Sequence, residues 1–308
     1  MSDATATEGP LAGMAGEHSA RRWLLIAGAA LFWGWLLVRW FNDWVLVRLG
    51  LGIERGEPFA PTALLEASGT LEPVGFALSL LPAFAGGIWL TIVLTIGGMF
   101  FGFFIAVPLS VARVYGRWSA WLSLFYTELI RGTPLLAQLF VLYYGLGLSG
   151  WIRELPYVGY GAIPDQAVWV AMIAFTINSA AYQAEYIRAA LQSVEGGQLT
   201  AARSVGLSKL EGIRYVVLPQ GLRYAIPGWT NELVYLIKYS SLAAFITVPE
   251  LFRQAQSIAS SNFRYTAVFL TVGLVYLCLV LSASAVMNHV ERRVAIPGLG
   301  QVEGRQQT

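Results

Sequence analysis

The chain reads as an all-α, polytopic helical membrane protein with six transmembrane helices. Three observations predict this class. Of the 308 residues, 56% are hydrophobic and only 12% charged, about half the charged share of an average soluble domain. The apolar residues gather into runs that approach or exceed the roughly twenty residues a bilayer core demands of a helix. The 11 Trp and 14 Tyr suit a protein with two water–lipid interfaces, where amphipathic rings settle. The runs are too long for barrel strands, and helices satisfy their backbone groups internally, as lipid requires.

Taken in order, residues 1–20 are polar and rich in Gly and Ala, and they read as a disordered cytoplasmic N-terminus. Arg21-Arg22 precedes the first apolar run, 23–41, so 21–41 forms an N-terminal transmembrane anchor. The run is longer than a signal-peptide core, and no small-x-small cleavage site follows in Asn42-Asp43-Trp44. Residues 42–85 form an extracytoplasmic segment. Its first part, 42–72, is polar and holds Asp43, Glu54, Glu57, Glu66 and Glu72. Its second part, 74–85, is apolar but too short to span. Pro82 and Gly86-Gly87 set it off from the next helix, so it reads as an interfacial or re-entrant piece. The remaining spans are 86–112, 119–148, 167–190, 224–248 and 265–288, and 294–308 is a tail.

Positive charge sets the direction. Arg21-Arg22, Arg113 with Arg117, the loop residues Arg188, Arg203, Lys209, Arg214 and Arg223, and Arg292-Arg293 fall on one side, the cytoplasmic one. Arg48, Arg55, Arg153, Arg253 and Arg264 fall on the other, mostly offset by acids. Both termini are then cytoplasmic.

Several classes are disfavoured. A net charge of +2 with scattered arginines does not suit nucleic acid. The single cysteine, Cys278, lies in an apolar run and reads as packing. His18 and His289 are far apart and have no carboxylate cluster nearby, so no metal site is expected. A convergent constellation of His, Cys or carboxylates, as a membrane-embedded enzyme needs, is missing from the pattern. No G-x4-G-K-[ST] phosphate loop occurs, so energy for any transport must come from elsewhere.

The most informative stretch is the polar loop 191–220, which contains T-A-A-x3-G-x9-V-V-L-P from Thr200 to Pro219. Ala201 and Ala202 are small enough to let a short helix sit closely against another surface. Gly206 stands where such a helix would end, because Gly accepts the left-handed cap conformation, and Leu207 supplies the accompanying hydrophobic contact. Pro219 would stop the following helical stretch, 209–218. The expected product is helix, turn, helix: a knob beneath the membrane. A plain loop between spans is the bland alternative.

Charged residues within the spans are the other signal. Glu128 and Arg131 are spaced to pair on one helical face. Arg131-Gly132-Thr133-Pro134 breaks that helix, which makes Arg131, Gly132 and Pro134 hinge candidates, against a plain seating ion pair. Glu185 and Arg188 share the same spacing and read as a surface pair. Glu232 and Lys238 lie on different faces of one span, where ionisable groups are costly and functional by default. Asn178, Tyr182, Glu232, Lys238, Ser240 and Ser241 offer the donors and acceptors a polar zwitterion needs, and are candidates for a substrate path. A structural polar network is their bland reading.

Together these motifs resemble the permease subunits of ABC importers for polar amino acids, the group of histidine, glutamine, arginine and glutamate permeases. The resemblance runs from about Gly86 to Arg293. Gly87-x3-Thr91 resembles the family's first core-span signature, and Glu128-Leu-Ile-Arg131-Gly-Thr-Pro134-Leu-Leu-x-Gln138 its R-G/S-T-P-L-L-x-Q element. Ser179-Ala-Ala-Tyr182-x-Ala-Glu185-x-x-Arg188 with Gly197-Gln198 resembles the approach to the family's coupling loop. Pro219-Gln220-x-Leu222-Arg223 and Lys238-x-Ser240-Ser241-Leu242 resemble the exit. Thr200 departs from the pattern, which usually has Glu there, and so does Ala189, where Gly is common.

The resemblance implies a five-helix permease domain, 86–293, carried behind an N-terminal helix. It implies that Gly197, Gln198, Thr200, Ala201, Ala202, Gly206, Leu207 and Pro219 contact an ATPase subunit that holds ATP and Mg, with no cofactor on this chain. It also implies a second permease chain, as homodimer or heterodimer, an extracytoplasmic amino-acid-binding receptor, and residence in the inner membrane. The alternatives are an importer for another small polar solute, such as an opine or osmolyte, and an ion-coupled secondary transporter with Glu128 or Glu232 carrying the ion.

Overall fold

The computed structural model describes residues 10–59, 62, 65, 68–160, 163–194 and 196–294, and every regular element among them is helical. Expectations for residues 1–9 and 295–308 lie outside the described residues. The chain divides into two compact units, Met1–Ala85 and Gly86–Thr308.

In the first unit, α1 runs from Pro10 to Phe41. Residues 10–20, expected as disordered, are therefore its first turns. A π-helical turn, Asn42–Leu46, and a 3-10 turn, Val47–Leu49, lead to Gly50 at φ +71°. The chain then folds back over the end of α1. Arg39, fully buried, pairs with Asp43 at 2.9 Å and donates to the Glu54 and Glu57 carbonyls. Asn42 exchanges two hydrogen bonds with the Ile53 backbone, at 2.7 and 2.9 Å. A buried arginine persists only when its charge and all its donors find partners, and this loop provides them.

Helix α2 spans Glu72–Tyr115, 44 residues without interruption. The expected break at Pro82 and Gly86-Gly87 does not occur, so 74–85 is not a separate re-entrant piece. A proline costs one backbone hydrogen bond, whereas ending a helix in apolar surroundings strands several polar groups. Continuing the helix is the cheaper outcome.

The second unit contains the rest of α2 and the helices after it. These are α3 (Trp118–Arg131) and α4 (Leu135–Phe140), the latter extended by a π-helical turn, Val141–Gly145. Then come α5 (Leu148–Arg153), α6 (Gln166–Ser193), α7 (Gly197–Ser204) and α8 (Lys209–Gly212). A π-helical turn, Ile213–Val217, joins α8 to α9 (Leu218–Tyr224). After α10 (Ile226–Tyr239) and a 3-10 segment, Ser240–Ile246, come α11 (Leu251–Asn262) and α12 (Tyr265–Val294).

Helix α6 is the central strut. Its most apolar window is 67% buried, against 33% for α2 and 28% for α12. Ala167, Ala171, Ala174, Ala181 and Ala184 are all buried along it, and small residues of this kind let helices approach closely in a membrane. Glycines on α2 answer them. A Cβ at Gly98 would lie 2.7 Å from the Phe175 Cβ, and one at Gly102 3.0 Å from the Ala180 nitrogen. Asp165 caps α6 by accepting from the Gln166 amide at 2.6 Å.

By length and composition, α2, α6 and α12 are each able to cross a membrane. Two further expected spans are not single helices. Residues 119–148 are built from α3, α4 and the turn after it, and 224–248 from α10 and its 3-10 extension.

Candidate functional site

The loop after α6 folds as helix, turn, helix. Helix α7 begins at Gly197, and Gln198 and Leu199 are half-buried. It closes in a Schellman motif: the Leu207 amide donates to the Ala202 carbonyl at 3.2 Å and the Gly206 amide to the Arg203 carbonyl at 3.1 Å. Gly206 has φ +93°, the left-handed region that favours glycine. Ser208 then starts α8 with a capping box, accepting from the Glu211 amide while Glu211 accepts from the Ser208 amide. The Ser208 hydroxyl and the Ser208 amide, both beside it, hold the Glu211 carboxyl below its usual range.

The small residues divide their work. Thr200 and Ala201 are exposed, whereas Ala202 is 5% exposed and turned against Gly212, where a Cβ would lie 3.3 Å from its own. Only one alanine of the expected pair therefore faces outward. Three apolar residues of the loop not singled out in the sequence are also exposed: Val205, Leu210 and Tyr215. Pro219 does not stop a helix. It sits in the first turn of α9, directly after the π-helical turn. The loop is braced at both ends. Lys209 Nζ donates to the Tyr115 carbonyl at 3.2 Å, and Gly221 packs so closely on Leu191 that a Cβ would meet its Cδ2 at 2.7 Å.

A second feature lies between α6 and α10. Asn178, Tyr182 and Tyr186 stand one turn apart on α6, and Glu232, Tyr235 and Tyr239 form a matching stripe on α10. Together with Leu236 they line a cleft of about 290 Å³. The Tyr235 and Tyr239 rings stack at 5.8 Å. Gly228 lets Tyr186 lie directly on the α10 backbone: a Cβ there would sit 2.6 Å from the ring's Cγ. Glu232 is 2% exposed, with the Ser179 hydroxyl beside its carboxyl, and it forms no ion pair among the described residues.

Three of the six substrate-path candidates, Asn178, Tyr182 and Glu232, thus come together. The others do not line the cleft. Lys238 is exposed with its Nζ 4.8 Å from the Tyr235 ring centroid. Ser240 and Ser241 donate to the Ile237 and Lys238 carbonyls, closing the end of α10. The tyrosines at 186, 235 and 239 escape sequence reading, although their i, i+4 spacing with Tyr182 and with each other is a readable signal.

The helix break falls where expected. Helix α3 ends at Arg131, Gly132 caps it, and Pro134 is extended, with ψ 138°. Gln138 Nε2 caps the freed carbonyls of Ile130 at 2.7 Å and Thr133 at 3.0 Å, while its Oε1 accepts from Asn178 at 3.1 Å. The break is thereby tied to the cleft. Arg131 does not pair with Glu128. It crosses to α6, where its Nη1 lies 3.9 Å from Glu185 Oε2 and its guanidinium carbon 5.3 Å from the Tyr182 ring centroid. Glu185 also pairs with Arg188 at 2.9 Å, and Arg188 Nη1 donates to Gln192 Oε1 at 2.7 Å. Among the described residues, no three His, Cys, Asp or Glu side chains come together in a way that suits a metal ion.

Comparison with known proteins converges on one family. The profile described as binding-protein-dependent transport system inner membrane component matches residues 98–296. A probable amino-acid ABC transporter permease protein, YckA of Bacillus subtilis, is 40% identical over 223 residues, covering 71% of this chain and 92% of that one. The octopine transport system permease protein OccM of Rhizobium radiobacter is 37% identical, covering 64% of this chain and 80% of its own. Among solved structures, an amino acid ABC transporter crystallised with histidines matches with a TM-score of 0.59 and 32% identity, over 69% of this chain and 94% of that chain.

Proposed function

The chain belongs to the family of binding-protein-dependent transport system inner membrane components, and on that premise we propose that it is the permease subunit of an ABC importer carrying polar amino acids across the cytoplasmic membrane. The amino-acid permeases among its relatives support the substrate class. The sequence contains no phosphate loop, so ATP and Mg bind to the partner ATPase. The observation that carries this reading is the loop itself: a short helix ended by Gly206 in the left-handed conformation, presenting Thr200, Ala201 and Val205 to the outside.

In this account the ATPase grips α7 from the cytoplasm, where both termini also lie. Two permease chains, alike or related, form the translocation path, each held by one ATPase. An extracytoplasmic receptor delivers the amino acid. Closure of the ATPases on ATP moves the two α7 helices together and biases the spans between inward- and outward-facing states. The nucleotide shifts that balance only through its different affinity for the two. The break at Arg131, Gly132 and Pro134 is the hinge, bridged by Gln138. The cleft of Asn178, Tyr182 and Glu232, completed by Tyr186, Tyr235 and Tyr239, is where the amino acid rests in transit.

Uptake into proteoliposomes holding the permease, its ATPase and its receptor tests this. Accumulation of amino acid should require ATP inside and survive an uncoupler. Uptake that ignores ATP and collapses with the uncoupler would instead make the chain an ion-coupled transporter.

A further inference from the structure

We propose that the groove between the loop that follows α5 and the outward face of α6 is a phospholipid site, with an acyl chain along its floor and a zwitterionic headgroup on Arg153 and Glu154. The site lies apart from the cleft and the loop, and it does not depend on the transport reading. Three observations carry it.

The first is the lining. Ile152 of α5, Leu155 just beyond it, Val158 and Ile163 of the loop, and Trp169 and Ile173 of α6 enclose about 340 Å³. The only polar side-chain atom among them, Trp169 Nε1, is engaged by the Pro164 carbonyl at 3.2 Å. A trapped water needs about two to four polar partners, and an apolar cavity stays dry. The groove therefore calls for an apolar occupant.

The second is its place along the helix. Trp169 and Ile173 stand one turn apart and are exposed, while Val170, Ala171 and Ala174 between and beyond them are buried in the core. The groove thus opens on the outer face of a helix long and apolar enough to cross a membrane. At about 1.5 Å per residue, Ile173 lies about 12 Å along the axis from the Asp165 cap. Half of a bilayer's hydrocarbon core is about 15 Å, so the groove follows most of one leaflet, the path of an acyl chain. Trp151, Tyr157 and Tyr160, interleaved in sequence with the lining residues, are all exposed, and such amphipathic rings settle at headgroup level.

The third is the charge at its edge. Arg153 and Glu154 are adjacent at the end of α5, next to the lining Ile152 and Leu155. Both are exposed, and neither forms an ion pair among the described residues. Asp165, the other acid nearby in sequence, is engaged in capping α6. One cation beside one anion matches a phosphate followed by a primary ammonium, the headgroup of phosphatidylethanolamine. A headgroup with phosphate alone satisfies Arg153 and meets Glu154 as a like charge.

The test is photo-cross-linking of the permease–ATPase complex in nanodiscs, with a trace of phosphatidylethanolamine carrying a diazirine on one acyl chain and the adducts mapped by mass spectrometry. Adducts should concentrate on Ile152, Ile163 and Ile173. They should fall when the bulk lipid is phosphatidylethanolamine rather than phosphatidylglycerol, while adducts on the exposed α12 residues Leu270 and Leu274 stay constant. Ile173→Trp, which fills the groove, should remove the groove adducts and leave those on α12. Arg153→Ala should reduce the groove adducts in either bulk lipid, and Glu154→Gln should erase the difference between the two lipids. These two positions are exposed, so the argument survives an Ile173→Trp variant that fails to assemble. Adducts spread evenly over α6 and α12, groove adducts that outlast Ile173→Trp in an assembled complex, or equal groove adducts in the two bulk lipids overturn the assignment. So does a disulfide between two copies through Leu155→Cys in a Cys278→Ser background, which would put a second chain where the lipid is placed.

Discussion

Arg131 leaves its helical neighbour Glu128 and reaches across to Glu185 on α6, where its Nη1 lies 3.9 Å from Oε2. The same oxygen takes Arg188 at 2.9 Å. One carboxylate thus joins the helix break, through Arg131, to the end of α6 that leads into the loop. The side chains of Arg131 and Glu185 are 36% and 15% exposed, and partly exposed pairs are worth less than about 1 kcal/mol. Glu185→Gln should therefore leave the melting temperature of the complex nearly unchanged while slowing uptake several-fold. A large drop in melting temperature, or unaltered uptake, would show that the ladder serves stability alone.

The turn after α7 depends on backbone conformation rather than on space. A Cβ at Gly206 would meet nothing within 4 Å, but its φ is +93°. An ordinary L-residue there costs about 1–2 kcal/mol, and a β-branched one is a poor fit. Gly206→Val should weaken capture of the ATPase by about tenfold, which is what about 1.4 kcal/mol amounts to, without reducing membrane insertion. Gly206→Asn, which tolerates the left-handed region, should keep most of the affinity. Equal capture by wild type and the valine variant in pull-downs from membranes would remove the turn from the docking surface.

Much of this was legible in the sequence, for reasons that differ by element. The apolar runs specify helices because lipid leaves few alternatives, and Ala201, Ala202 and Gly206 specify a short helix with a glycine end. Other features were not readable. Pro82 looks like a break, yet in apolar surroundings the helix runs through it. Pro219 reads equally as a stop and as a first-turn residue, and only the following residues decide. Glu128 is the nearer partner of Arg131 in sequence, but Glu185 is its partner across helices, and spacing along one helix carries no information about the next. Nothing in the run 23–41 signals that Arg39 turns inward, since its partners, the Glu54 and Glu57 carbonyls, come from the following loop. Tyr186, Tyr235 and Tyr239 resemble interface aromatics until α6 and α10 are brought face to face.

Gly228 separates the cleft from the loop experimentally. A methyl there would lie 2.6 Å from the Tyr186 Cγ, and overpacking of this kind costs about 1–3 kcal/mol. Gly228→Ala should push Tyr186 out of place, cutting uptake by about tenfold or more while ATPase capture is retained. Gly273→Ala, where a Cβ meets nothing within 4 Å, is the matched control and should transport normally. Identical uptake by the two variants would detach Tyr186 from the transport path.

Transport as proposed requires that a nucleotide-driven partner hold α7 on the cytoplasmic side, and cross-linking from its exposed face probes that contact. Cys278 is the only cysteine in the chain, so Ala201→Cys in a Cys278→Ser background carries one thiol, on the outward-facing alanine. In intact membranes this thiol should escape an impermeant outside reagent and form an adduct with the ATPase. Labelling from the outside, or the absence of any ATPase adduct in a complex that still transports, would show that α7 is not the ATPase contact.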